Sequence, residues 1–181
     1  PHPSLHCQVG RLAARMGEDA LELVPSMARG LQGAGHEVRR ELLKALAAMG
    51  PDAREACPAV LEVAGSGDAD IASRALETLG AMQCQSAWDT ALEAYLAPDQ
   101  DPGISMSALQ CMQDLGPPPQ KVVDELLDEL DGEVSPSQAR LLPVLARSGP
   151  GVIDTVLALL DSDQKKVRME ALTALWVLEA Q

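Results

Sequence analysis

Few side chains in this sequence could do chemistry, and their spacing limits what each could do. The histidines are His2, His6 and His36, so a mechanism that needs imidazole as acid, base or metal ligand has few candidates. His36 is followed directly by Glu37. It reads as a solvated residue at a helix start, with Glu37 a first-turn carboxylate favoured by the helix dipole. The cysteines Cys7, Cys57, Cys84 and Cys111 contain no Cys-x-x-Cys spacing, and no histidine nearby completes a zinc set. They read as structural thiols acting as small buried hydrophobes. The lack of a disulfide framework points to a reducing compartment, and the expected location is cytoplasmic. Carboxylates at Asp124, Glu125, Asp128, Glu129, Asp131 and Glu133 form an acidic run. Without a Gly-centred calcium loop the run reads as the solvated face of a helix. No catalytic set, metal site or cofactor is expected.

The elements that position these residues follow from composition and periodicity. The chain has 181 residues, 46% of them apolar and 23% charged, and it contains no Phe, one Tyr and two Trp. A core without aromatic layers must be filled by Leu, Val, Ala and Met on helices, which excludes most sandwiches and barrels. A net charge of −13 argues against nucleic-acid and anionic-membrane binding, since both require a dominant cationic surface. No apolar stretch is long enough to span a bilayer, and no signal-peptide pattern opens the chain. The first residue is Pro1, from which the chain is expected to be a fragment of a longer protein.

An apolar register recurs along the chain. From Val38, the residues Leu42, Leu43, Leu46, Met49 and Gly50 follow at +4, +5, +8, +11 and +12, an apolar helix face closed by a glycine stop. Ile71 leads to Ala75, Leu76, Leu79 and Met82, and Ile104 to Ala108, Leu109, Met112, Leu115 and Gly116. The anchors are spaced by 33 residues, and the same step reaches Leu5 backwards and Ser137 forwards. A last copy starts at Val167 and carries Ala171, Leu172, Leu175 and Leu178. Cys111 falls at +7, a place held elsewhere by Ala45, Thr78 and Ala174. Between these B-type helices lie A-type segments, Leu21 to Leu31, Ala56 to Ala64, Ala87 to Leu96, Val122 to Leu130 and Val152 to Leu160. Pro, Gly and Asp cluster in the joints and mark turns. A single helix pair cannot bury both apolar faces, so the pairs must stack. The fifth B segment carries Pro143 in its interior, where a kink is expected.

The segments Glu37 to Gly50 and Leu159 to Leu175, with Arg39 and Arg168 directly after the anchors, resemble HEAT repeats, and more closely the short bacterial type associated with phycobilisome lyases. The resemblance implies an all-α fold, an α-solenoid in which stacked helical hairpins wind into a right-handed superhelix of about five and a half repeats over residues 1–181. It also implies that Arg39 and Arg168 reach back to carboxylates or carbonyls of the preceding joint, such as Asp161 for Arg168. HEAT-like metal hydroxylases place His-Glu pairs before several anchors; the equivalents of His36-Glu37 here are Pro3-Ser4, Ala69-Asp70, Pro102-Gly103, Ser135-Pro136 and Lys165-Lys166. One pair cannot make such a centre.

Charge is distributed unevenly. Counted from each anchor through +11, the B helices hold nine basic and four acidic side chains, a surplus of cations in a chain of net charge −13. In a HEAT-like solenoid these helices line the concave side, and offsets +2, +3, +6, +9 and +10 point away from the core. They hold Arg40, Lys44, Arg74, Arg140 and Arg147, with small residues such as Ala47, Ala48, Gly80, Ala81 and Ala146 between them. In the last copy the same offsets hold Trp176 and Val177, an apolar pair expected to meet another domain, chain or partner. These residues are the candidate partner-binding set. The expected function is a non-enzymatic scaffold or adaptor that binds another protein, through an acidic or amphipathic segment, along the concave B-helix face. The alternatives are a lyase or chaperone-like subunit acting on a cofactor-bearing protein, and an alkylated-base glycosylase of HEAT-like architecture, the latter disfavoured by net charge.

Overall fold

The computed structural model describes residues 21–98 and 101–180. The first expected B helix, near Leu5, lies outside the described residues, together with His2, His6, Cys7, Arg11 and Arg15. Among the described residues helix follows helix with no β-strand between them. Two compact units divide the chain, one running to Leu115 and one starting at Gly116.

In the first unit the A-type helices α1 (Val24–Gly33), α3 (Cys57–Ala64) and α5 (Trp88–Leu96) alternate with the B-type helices α2 (His36–Met49), α4 (Ala69–Ala81) and α6 (Pro102–Leu115). These follow the expected segments to within a few residues. Asp68 caps α4 by accepting a hydrogen bond from the Ile71 amide at 3.3 Å, which satisfies one of the free donors of the first turn. The glycine stops at Gly50 and Gly116 take φ of 60° and 92°, left-handed values that a residue with a Cβ adopts only at a cost.

The B helices stack in sequence, α2 on α4 and α4 on α6, and α1 packs on α2 and α3. Leu43, Leu46, Leu76, Leu79 and Met112 are buried in this stack, each contributing roughly 1.5–3 kcal/mol by removal from water. Gly80 is also buried, and a Cβ added there would lie 3.0 Å from the Cys111 Cα. The position read as a small outward residue is therefore the point where α4 and α6 touch. Ala146, given the same outward reading, is likewise buried.

The arginines after two anchors behave as the repeat resemblance implies. Arg39 donates from Nε to the Leu31 carbonyl at 2.9 Å and from Nη2 to that of Gln32 at 3.3 Å. Arg168 donates from Nη1 to the carbonyls of Ser162 at 2.6 Å and Asp163 at 2.9 Å. Carbonyls left free where an A-type segment ends thus find donors on the next B helix.

The cysteines depart from expectation. Cys57, at the start of α3, and Cys84, between α4 and α5, form a disulfide. The reading of all four as thiols fails at this pair, and with it the ground for inferring a reducing compartment. The two residues are 27 positions apart, and a 33-residue repeat brings the starts of successive A-type segments side by side. Arg54 ties the same seam, donating from Nε to the Met82 carbonyl at 3.2 Å and from Nη2 to Gln83 Oε1 at 2.8 Å. Closing a loop of this length stabilises the fold by about 3–4 kcal/mol on the chain-entropy account.

The second unit holds α7 (Gln120–Glu129), a 3-10 turn at Gln138–Leu141 leading into α8 (Leu142–Ala146), then α9 (Ile153–Ala158) and α10 (Lys165–Glu179). The fifth B segment is broken as Pro143 demands. Pro143 stands in the first turn of the short α8, where its missing N–H leaves no helical bond unmade. On α10 the buried face is Val167, Ala171 and Ala174, without the Leu172, Leu175 and Leu178 of the template. Leu172 is exposed, and Leu175 and Leu178 are half-buried.

Leu46→Ala should lower unfolding free energy by about 2–5 kcal/mol through the cavity it leaves between α2 and its neighbours. Leu175→Ala, at a half-buried position, should cost less than half as much in the same urea titration, whereas a fully packed last repeat would make the two losses alike.

Candidate functional site

Arg40, Lys44 and Arg74 lie in the first unit, on the exposed side of α2 and α4. The 33-residue repeat sets equivalent positions of the two helices beside each other, so the start of α4 reaches the first turns of α2. Asp70 occupies the junction. One of its oxygens lies 3.4 Å from Arg40 Nε and the other 3.3 Å from Arg74 Nε. Glu37 approaches Arg40 Nη1 at 3.5 Å. His36 joins the cluster through Nε2, 3.5 Å from Asp68 and 3.4 Å from Asp70, and through Nδ1, 3.6 Å from Glu37.

This arrangement changes the electrostatics expected of the face. Glu37 and Asp70 stand one residue before the anchors Val38 and Ile71, so a count begun at each anchor leaves them out. In the fold they turn onto the two arginines and offset two of the five surplus cations. Lys44 is exposed one turn further along α2. Ala48 is exposed beside it, and Ala47 and Ala81 are half-buried, which leaves a low-relief apolar strip next to the ion-pair cluster.

The remaining candidates belong to the second unit. Arg140 is exposed and Arg147 half-buried, and both already interact within the fold. Trp176 is 70% exposed, and Val177 half-buried. Met169 and Leu172 are exposed with Trp176, Met169 at the outward offset +2 and Leu172 at +5, where the template expects a core residue. The signal for them was in the sequence, since a Trp at the offset where α4 carries Gly80 is incompatible with the same close helix contact.

Other chemistry resolves into local structure. In the acidic run, Asp124 accepts from Gln120 Nε2 at 2.8 Å, Glu125 pairs with Lys121 at 3.6 Å, and Glu129 accepts from Gln138 Nε2 at 2.7 Å. Among the described residues no group of three or more His, Cys, Asp or Glu is placed to hold a metal ion, and no helix is long and apolar enough to cross a membrane. An apolar groove of about 460 Å³ opens between α1 and α2, lined by Leu23, Met27, Gly30, Val38 and Leu42 among others. Cys111 is buried against α4. Burial first, and the Asp114 carboxylate second, push its thiol up to about 12. A thiol held neutral in this way is a poor nucleophile.

No family model matches the sequence, and neither does any curated protein. Among solved structures the chain is similar to an engineered protein of the Northeast Structural Genomics Consortium, at 19% identity and a TM-score of 0.60, covering 98% of this chain and 90% of that one. A second engineered protein from the same consortium matches at 20% identity and a TM-score of 0.56, with 94% and 52% covered. A designed armadillo repeat protein matches at 14% identity and a TM-score of 0.56, with 97% and 92% covered. At such identities the likeness concerns the fold, and that fold is all-α, of the helical-repeat solenoid class.

The cysteine chemistry has a direct check. In a Cys7→Ser variant, the folded protein should show no thiol reactive toward an aromatic disulfide reagent at pH 8, a chemistry that needs thiolate. Denaturation without reductant should expose one thiol, Cys111, and denaturation with reductant three. Two or more reactive thiols before reduction would exclude the Cys57–Cys84 bond.

Proposed function

We propose that this chain is a non-enzymatic module that binds another protein along the B-helix face of its first unit. The Arg39 and Arg168 contacts support HEAT-like repeats within the helical-repeat class. The observation that carries the binding assignment is the arginine pair around Asp70. A single carboxylate serves Arg40, Arg74 and His36 at 3.3–3.4 Å, and the buried Nε atoms of both arginines make no hydrogen bond among the described residues. Those Nε atoms face Asp70, but the Arg40 and Arg74 side chains are still 36% and 37% exposed, so a second carboxylate can meet the outer edges of two forks held side by side. The apolar strip of Ala47, Ala48 and Ala81 alongside suits the non-polar side of the same ligand. The partner is accordingly an acidic amphipathic segment, lying on the alanines with its carboxylates at Arg40, Lys44 and Arg74.

Three variants test this against a partner isolated by affinity capture and then purified. Arg40→Glu combined with Arg74→Glu should weaken binding by about tenfold or more, and more so at low salt. Asp70→Asn, which releases both guanidiniums, should tighten it. Arg29→Glu, on the exposed side of α1, should leave it unchanged in calorimetry. Equal losses from the Arg29 and the Arg40/Arg74 variants, or weaker binding after Asp70→Asn, would place the surface elsewhere.

A further inference from the structure

Helix α10 carries an apolar stripe on the side opposite its packed face. Met169, Leu172 and Trp176 are 56%, 55% and 70% exposed. The repeat register shows what such a stripe does elsewhere. Leu43, Leu76 and Leu109, the equivalents of Leu172, are 0%, 1% and 7% exposed, because each lies in the helical stack. The stripe of α10 is not shaped for that same contact. Where α4 has Gly80, close enough to α6 that a Cβ would meet the Cys111 backbone at 3.0 Å, α10 has Trp176. A bulky indole holds a neighbouring helix further away than a glycine does.

The sequence of the stripe indicates what fits it. Lys165, Met169, Leu172, Trp176 and Glu179 are spaced by 4, 3, 4 and 3 residues. At 100° per residue they fall within about 80° of arc, on one side of the helix. Lys165 and Glu179 are both exposed, at opposite ends, and each is seven residues from Leu172. A two-fold axis through Leu172 therefore brings Lys165 of one helix opposite Glu179 of an antiparallel copy, twice over, and sets Met169 within about 1.5 Å, one residue's rise, of level with the Trp176 of the other copy. The antiparallel arrangement also opposes the two helix dipoles. A parallel pairing would instead set Lys165 against Lys165.

We propose that α10 is a self-association surface, pairing with α10 of a second copy of this chain in an antiparallel, two-fold symmetric contact centred on Leu172. Isologous contacts of this kind are the commonest route to soluble dimers. One helix pair about 22 Å long buries less than the ~1,200 Å² of a stable interface, so the dimer is weak, with a dissociation constant of roughly 10–100 μM. The contact lies in the second unit and is independent of the partner-binding face proposed for the first.

Sedimentation of the full chain across roughly 5–500 μM decides the matter, that range bracketing the dissociation constant expected for an interface of this size. Twice the mass of one chain should appear at the upper end, and a monomer throughout would overturn the proposal. Leu172→Asp, at an exposed position and with helicity checked by circular dichroism, should raise the dissociation constant by roughly a hundredfold. A dimer unaffected by Leu172→Asp uses another surface. Lys165→Glu and Glu179→Lys should each weaken association about tenfold, and the double exchange Lys165→Glu with Glu179→Lys should restore it. Single exchanges without effect, or a double exchange as weak as either single one, would overturn the antiparallel register.

Discussion

The apolar contact between one B helix and the next is the constraint on which the first unit rests. Leu43 and Leu46 on α2, Leu76 and Leu79 on α4, and Met112 on α6 have no exposed surface of consequence, and none of these helices could bury both of its apolar sides within a single hairpin. The distance between helices is set by small residues, most sharply where Gly80 meets the backbone of α6. Interiors are packed to crystal-like density, so this spacing also fixes where every side chain at the edge of the stack must lie.

The charged cluster at the helix starts is one consequence. With α2 and α4 held in register, Asp70 of one repeat cannot avoid Arg40 of the preceding one, and its own Arg74 lies one turn along the same helix. The ion pairs are half-exposed and contribute little to stability. Their effect is on orientation: two guanidiniums are held side by side near the helix starts, with Ala47, Ala48 and Ala81 about two turns further along the same helices. In the same first turns Arg39 and Arg168 have a structural role, satisfying the carbonyls of the preceding joint. Arginine therefore serves two purposes within one repeat pattern, and position relative to the anchor separates them.

The helix α10 shows the same constraint from the side where it is not met. Its offsets repeat those of α2, α4 and α6, yet the residues that elsewhere enter the stack are exposed here. Burial in a repeat protein depends on what lies next in the stack as well as on the helix itself. The Cys57–Cys84 bond arises from that neighbour relation too, since residues 27 apart in sequence meet only when successive A-type segments start side by side.

Much of the architecture was legible in the sequence, because helices announce themselves through local periodicity and glycine stops. The 33-residue register identified the A and B segments, the break at Pro143 and the carbonyl-binding Arg39 and Arg168, all of which depend on residues close along the chain. What required the tertiary structure was every property set by a neighbour one repeat away. Gly80 looks outward on a helical wheel, and only the approach of α6 makes it a contact. Asp70 looks like a first-turn carboxylate, and only the stacking of α4 on α2 turns it onto Arg40. Cys57 and Cys84 lack any spacing that reveals a bond, because their proximity comes from the stack and not from the chain between them. Leu172 matches Leu43, Leu76 and Leu109 in type and offset, and its exposure follows from its surroundings alone.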